Sequence, residues 1–362
     1  MHHSSRQIRL KKVLRQNRLD ALLVTHLPNI RYLSGFTGSA GALLVSERQV
    51  LLFTDGRYKE QARAEVEGAR VVVGCKAALV SAGEWLNENG KREGIRTLSI
   101  EAQHLTVADR AQLQKALRSD TRLREVPPLI EWARMVKDEE EINRLRSAVR
   151  LGSSLFDAAL KVIRPGTKEI EVAAEMEYEA RRAGAEGMSF ETIIASGLRS
   201  ALPHGRASTA TIPPNGFVVC DFGIILAGYC SDMTRTVHVG KPNHDARNMY
   251  DAVREAQQAA IDRVRAGVSV AGVDQAARKV LTARGLGKYF THSTGHGVGL
   301  EIHEMPRIAR GQPELLGSGM AITVEPGVYV PGVGGVRIED MVVVSEGGCE
   351  VLTPTSKELI II

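Results

Sequence analysis

Five residues in the second half of the chain have the types and surroundings to hold metal ions: Asp221, Asp232, His296, Glu325 and Glu339. Asp221 stands in Val218-Val219-Cys220-Asp221-Phe222-Gly223, a run of strand formers. An acid buried there is costly unless it is paired or binds a cation. Eleven residues on comes Asp232, in Tyr229-Cys230-Ser231-Asp232-Met233-Thr234-Arg235-Thr236. A hairpin between the two would put both carboxylates on one face. Left unpaired they would repel, and one would keep a proton. A divalent cation removes the conflict.

The same plan recurs toward the C-terminus. Ala321-Ile322-Thr323-Val324-Glu325 ends an apolar strand with an acid. In Val336-Arg337-Ile338-Glu339-Asp340, Arg337 and Glu339 fall on one face of a strand and Asp340 on the other. Between the acidic pairs lies Thr291-His292-Ser293-Thr294-Gly295-His296-Gly297-Val298-Gly299-Leu300, with His303 close behind. Glycines flanking His296 let the backbone pack tightly while the imidazole reaches inward. Singly, each residue has an ordinary explanation as an edge acid, an ion-pair partner or a hydrogen-bonded histidine. Together, four carboxylates and one imidazole are too oxygen-rich for a closed structural zinc site. They suit two adjacent divalent ions, manganese first, with zinc or cobalt as alternatives. Two ions roughly 3.5–4 Å apart share a hydroxide and clamp both oxygens of a tetrahedral intermediate.

The elements that must carry these residues are readable in outline. In the first third, strand-like runs at 21–24, 41–45, 49–54 and 97–100 alternate with helical composition at 57–66, 79–89 and 106–118. That is an α/β layer domain with some antiparallel pairing. Pro28-Asn29 reads as a turn, and the terminal MHHSSRQIRLKK reads as a disordered end. Consecutive prolines at Pro127-Pro128 cannot sit inside a helix or a central strand. The boundary falls within 122–135 and is set after Pro128, giving an accessory α/β domain over 1–128 and a catalytic domain over 129–362. Asp138 then opens a long helix with Glu139, Glu140 and Glu141 in its first turn, where the dipole favours acids. Further helices are expected near 168–183, 243–265 and 270–284. The stretches 217–238 and 320–345 share a strand–turn–strand plan, which suggests a duplicated half-domain without a residue-level repeat.

Composition narrows the function classes. The 362 residues are 43% hydrophobic and 25% charged, as in a globular chain. Forty-seven basic against 42 acidic residues leave +5, and no basic run is interleaved with aromatics, so no nucleic-acid partner is expected. No run approaches the roughly 18 apolar residues of a membrane span, and no membrane partner is expected. The terminus has no apolar signal region. Four scattered cysteines without a CxxC pair suit a reducing, cytoplasmic setting. Cys220 and Cys230 read as small buried apolar side chains.

These segments resemble the pita-bread metallopeptidases, and more narrowly the Xaa-Pro peptidases, aminopeptidase P and prolidase. DFG…YCSDMTRT, THSTGHGVGLEIHE, TVEPGVY and GVRIED match that family's metal segments in order. IRYLSGFTGSAG, FTDGRYKEQA and KDEEEINRLRSA resemble its accessory domain and the start of its catalytic domain. The resemblance implies an α+β chain, a creatinase/prolidase-like α/β domain before a pita-bread catalytic domain. It implies that Asp221 binds one ion through both oxygens, that Asp232 and Glu339 bridge, and that His296 and Glu325 bind the other ion. Glu325 would also exchange a proton with the bridging water. His303 would donate to the carbonyl oxygen, and His204 matches the family's additional active-site histidine. His292 and Arg337 match residues that line the proline side of the pocket and brace the bridging ligands.

The expected activity is a metal-dependent exopeptidase that hydrolyses the bond before proline in proline-containing peptides, working as a homodimer. FTGSAG and FTDGRY lean toward aminopeptidase P, with prolidase, the Xaa-Pro dipeptidase, as the alternative. A non-catalytic peptide-binding relative, or a metal-free relative of creatinase, would lack ligands, and no ligand is missing. Tyr329, four residues after Glu325, is open between packing and substrate contact. His26, His104, His238 and His244 read as structural or exposed.

Overall fold

The structure is a computed structural model that describes residues 2–118 and 120–362. It divides into two compact units, Met1–Arg134 and Met135–Ile362.

The N-terminal unit is built on a six-stranded sheet. In spatial order its strands are Arg70–Gly74, Val50–Asp55, Ala42–Ser46, Ala21–Val24, Thr97–Glu101 and Arg122–Val126. Ala42–Ser46 runs antiparallel to both neighbours, and the other pairs are parallel. The central strands are buried along their length, as near-continuous apolar runs require. Helices Ala78–Asn89 and Val107–Ala116 lie in the expected places.

Two sequence expectations fail here. The terminus is a helix, His3–Gln16, rather than a disordered end. Leu10 and Leu14 face the core. Arg6 stacks over Tyr32 at 4.1 Å, and Gln7 donates to the carbonyls of Leu33 and Glu67. Long-range polar contacts, invisible to local composition, hold it. Pro28 does not mark a turn: it occupies the first turn of helix Leu27–Ser34, where a missing N–H costs nothing.

The C-terminal unit has two cores of similar plan. In one, helices Glu139–Val162 and Glu169–Arg182 cover the sheet formed by Ile193–Ser196, Gly216–Phe222 and Met233–Val239. In the other, helices His244–Arg263 and Val270–Ala283 cover a five-stranded sheet that includes Gly295–Gly297, Ala321–Val324 and Asp340–Val344. Asp138 caps the first helix by accepting from Glu141 N, and the Glu141 side chain accepts from Asp138 N in return. Both cores therefore present strand ends toward one cluster of polar side chains. Among the described residues no helix is long and apolar enough to cross a membrane.

Candidate metal centre

Antiparallel pairing of Gly216–Phe222 with Met233–Val239 sets Asp221 opposite Thr234. Asp232 lies two residues before Thr234 and shares its face. The connection is not a plain hairpin. At Gly223 the chain passes so close to Ser231 O that a Cβ would sit 1.8 Å away, and only glycine fits. His296 comes from Gly295–Gly297, where a Cβ on either glycine would meet the backbone of Thr323 or Met305 at about 2 Å. Glu325 directly follows Ala321–Val324, and Glu339 sits between Gly334–Arg337 and Asp340–Val344.

These side chains converge. One ligand atom each from Asp232, His296 and Glu339 lie within 4.8 Å of one another. His296 Nε2 stands 3.6 Å from Asp232 Oδ2 and 3.4 Å from Glu325 Oε1. Its Nδ1 lies 2.9 Å from Gly297 O, which assigns the proton to Nδ1 and leaves the Nε2 lone pair facing the acids. Two threonines aim the carboxylates. Thr234 Oγ1 donates to Glu339 Oε2 at 2.7 Å, and Thr323 Oγ1 donates to Glu325 Oε1 at 3.2 Å.

Arg337 is the buried cation of the cluster. Its guanidinium donates to Thr234 Oγ1, Pro203 O, Tyr329 OH and Asp221 Oδ2. Burial works against its charge, but Tyr329 and the surrounding acids outweigh that and hold its proton. One oxygen of Asp221 is thus already shared with Arg337. Tyr329 accepts from Arg337 and stands 3.0 Å from His292 Nε2, while His292 Nδ1 meets Ser293 O at 2.8 Å. The tyrosine proton therefore points at His292. Burial, followed by the Arg337 charge, lowers His292 to about 4, and it stays neutral at working pH.

One cation does not balance the acids. Burial, then Glu339, Asp221 and Glu325, pushes Asp232 well above the carboxylate range. Burial, then Glu325 and Asp221, does the same to Glu339. Glu325 rises to about 7, through burial opposed by Arg337. Asp232 Oδ1 is buried without a hydrogen-bond partner. Crowded carboxylates, an orphan acceptor and an outward Nε2 lone pair together fit hard divalent cations.

Outside this tight group, His303 packs edge-on against His296, with ring centroids 4.5 Å apart. Burial and then the His296 charge lower its pKa. His204 is exposed, on the loop whose Pro203 carbonyl Arg337 holds, and its charge is felt at both His303 and His292. Asp340 faces away from the cluster and pairs with buried Arg235 at 2.7 Å. Thr234, Thr323 and Tyr329 contact the cluster at positions that sequence reasoning missed or left open. The i, i+2 spacings Asp232–Thr234 and Thr323–Glu325 were the available signal.

Comparison with known proteins agrees with this geometry. Residues 143–346 match metallopeptidase family M24, and residues 6–136 match the Creatinase/Prolidase N-terminal domain. The chain is 38% identical to the Xaa-Pro dipeptidase of Pyrococcus horikoshii, over 97% of this chain and 98% of that one. It superposes on the Xaa-Pro dipeptidase from Bacillus anthracis with a TM-score of 0.95 at 40% identity, covering 100% of both chains. It superposes on the X-Pro aminopeptidase from Thermotoga maritima with a TM-score of 0.90 at 36% identity, covering 99% of this chain and 100% of the other. Dipeptidases among the relatives favour the prolidase alternative over the aminopeptidase reading drawn from FTGSAG and FTDGRY. With a Creatinase/Prolidase N-terminal domain ahead of its catalytic unit, the chain belongs to metallopeptidase family M24 and is a metal-dependent peptidase.

Proposed function

We propose that the protein is an Xaa-Pro dipeptidase that splits the bond before proline in dipeptides. The metal-dependent chemistry is carried by the buried carboxylate cluster with the orphan Asp232 Oδ1 beside the His296 lone pair, and the preference for dipeptides by the Xaa-Pro dipeptidases among the relatives. Asp221, Asp232, His296, Glu325 and Glu339 would hold two divalent ions. Manganese suits the oxygen-rich set, with zinc or cobalt as alternatives. Four free cysteines suit a cytoplasmic location. A homodimer is part of the same reading.

When bound, the ions would acidify water near neutral pH and offset negative charge on the scissile carbonyl. The chain's own groups do the rest. Glu325, ionised once the ions are bound and set 3.4 Å from His296 Nε2, would take a proton from the attacking water and return it to the proline nitrogen as the bond breaks. His303 is kept neutral chiefly by burial, and would donate an N–H to the developing oxyanion. His204 would line the site, on the loop whose Pro203 carbonyl Arg337 holds. His292 has both ring nitrogens engaged by Ser293 and Tyr329, so it would offer the proline ring a flat wall rather than a donor. That suits a peptide bond without an N–H. Arg337 would brace Asp221, and Glu339 through Thr234.

The deciding experiment reloads chelator-stripped protein with manganese and compares Ala-Pro with Ala-Pro-Ala. Cleavage of Ala-Pro with the tripeptide spared supports the dipeptidase. Release of alanine from the tripeptide returns the aminopeptidase reading. No cleavage of either sinks the Xaa-Pro assignment.

A further inference from the structure

Glu169 takes no part in the chemistry above, yet its side chain is fully buried, with 0% exposure, at the first position of helix Glu169–Arg182. A buried acid demands donors, and this one has five. Oε1 accepts from Ser196 N and Ser196 Oγ, both at 2.8 Å. Oε2 accepts from Ser208 N at 3.2 Å and Ser208 Oγ at 2.7 Å. Arg199 Nε spans both oxygens at 3.2 and 3.0 Å.

Ser196 ends the strand Ile193–Ser196, and Ser208 lies on the far side of segment 197–207. One carboxylate therefore ties together both ends of the loop that carries His204. Arg199 adds a tie within it, donating from Nη2 to Arg206 O at 2.8 Å. Leu198 and Leu202 add little to this hold, being 66% and 49% exposed, and within 197–207 Ala207 packs against the core. At the loop's tip, Ser200 Oγ accepts from Gly335 N at 2.8 Å, and Arg337 reaches the carbonyl of Pro203 at 3.0 Å, one residue before His204.

We propose that Glu169 is a positioning residue for His204: it fixes the base of the loop so that Arg337 can hold the tip in register with the reacting centre. The proposal rests on the reading of His204 as an active-site group. No metal ligand lies on the stapled segment, so the staple should govern turnover without governing metal loading.

Glu169→Gln keeps the shape and removes the charge. In the manganese-loaded protein we expect faster amide exchange at Ser196 and Ser208 and faster tryptic cleavage after Arg199 and Arg206. Metal content per chain should match the parent. On Ala-Pro, kcat should fall about 10- to 100-fold, the scale of a displacement near 1 Å, with KM within about twofold. Added to His204→Ala, the substitution should cost no more than about a further twofold, because its effect runs through that histidine. Ser208→Ala, a milder change should Glu169→Gln fail to fold, should lower kcat in the same direction by up to about fivefold. Unchanged exchange and trypsin sensitivity would overturn the proposal. So would lost metal, or an equal kcat loss with His204 already absent. If the unaltered protein cleaves no Xaa-Pro dipeptide, the dipeptidase reading fails, and the staple is judged on exchange and trypsin alone.

Discussion

Glu169 and Glu339 are buried glutamates of the same unit with opposite surroundings. Glu169 is met by five donors, one of them the cationic Arg199. Glu339 receives Thr234 Oγ1 and otherwise faces Glu325 and Asp221, so burial and those charges raise its pKa well above normal. Its neighbour Asp232 keeps a buried oxygen without any donor. Glu101, in the N-terminal unit, belongs with Glu169: it accepts from Thr25 N, Thr25 Oγ1, His26 N and Asn29 Nδ2. Burial alone therefore does not mark a metal ligand. A buried acid with its donors supplied organises backbone, whereas one left short of donors is a place for a cation.

The largest expected effect breaks the metal side of this contrast. Asp232→Ala should abolish metal loading and lower kcat by more than about 10³-fold, beyond the 10–100-fold typical of a group that only supports a ligand. Unchanged metal content per chain would refute its assignment as a ligand. Stability should then separate the two kinds of acid by sign. In chelator near pH 8, Asp232→Asn relieves repulsion and should raise the melting temperature. Glu169→Gln removes a satisfied charge and should lower stability by about 2 kcal/mol, less than the loss for a fully buried pair because Arg199 is 35% exposed. Shifts in the same direction would end the distinction.

A smaller effect sharpens it through pH. Glu325 in the folded, metal-free chain holds its proton to about 7, above its ordinary value of 4.5. The folded state then binds more protons than the unfolded one between those values. Stability from this group is full below about 4.5 and is lost as pH rises through about 7. Because the buried histidines, with lowered pKa values, have the opposite dependence, the test is by difference: in chelator, Glu325→Gln should gain stability relative to the parent as pH rises from 5 to 7.5. Metal affinity should rise over the same interval, with protons released on loading, since the ligands must be deprotonated. Titration calorimetry in buffers of different ionisation enthalpy reads that release, and its absence would remove the protonated acids from the account.

How much of this could be read in the sequence depended on how local the cause was. Asp221 and Glu325 each close a run of strand formers, and glycines bracket His296, so their strangeness is visible within a few residues. The capped helix after Asp138 is legible for the same reason. Glu169 was not: it stands in a helical stretch among other acids, and its partners lie 27 to 39 residues away. The threonine on Glu339 is more than 100 residues from it in the chain. The helix His3–Gln16 was hidden too, because much of what secures it is contacts from Arg6 and Gln7 to the segment around Tyr32 and Leu33, with only Leu10 and Leu14 as a sparse apolar signal.

Tyr329 gives the smallest and most selective test, since it touches Arg337 and His292 but no metal ligand directly. Its hydroxyl accepts from Arg337 and donates to His292 Nε2, and burial raises its pKa to about 12, so it remains a neutral relay. Tyr329→Phe keeps the ring and deletes the relay. Arg337 retains Pro203, Thr234 and Asp221 as acceptors, so the brace on the acids should survive with metal content unchanged. His292 loses the donor that fixes its ring. One lost hydrogen bond is worth about 1 kcal/mol, so KM for Ala-Pro should rise by less than about tenfold while kcat stays nearly constant. A fall in kcat with unchanged KM would instead place Tyr329 with the reacting groups, and would move His292 from the proline wall into the chemistry.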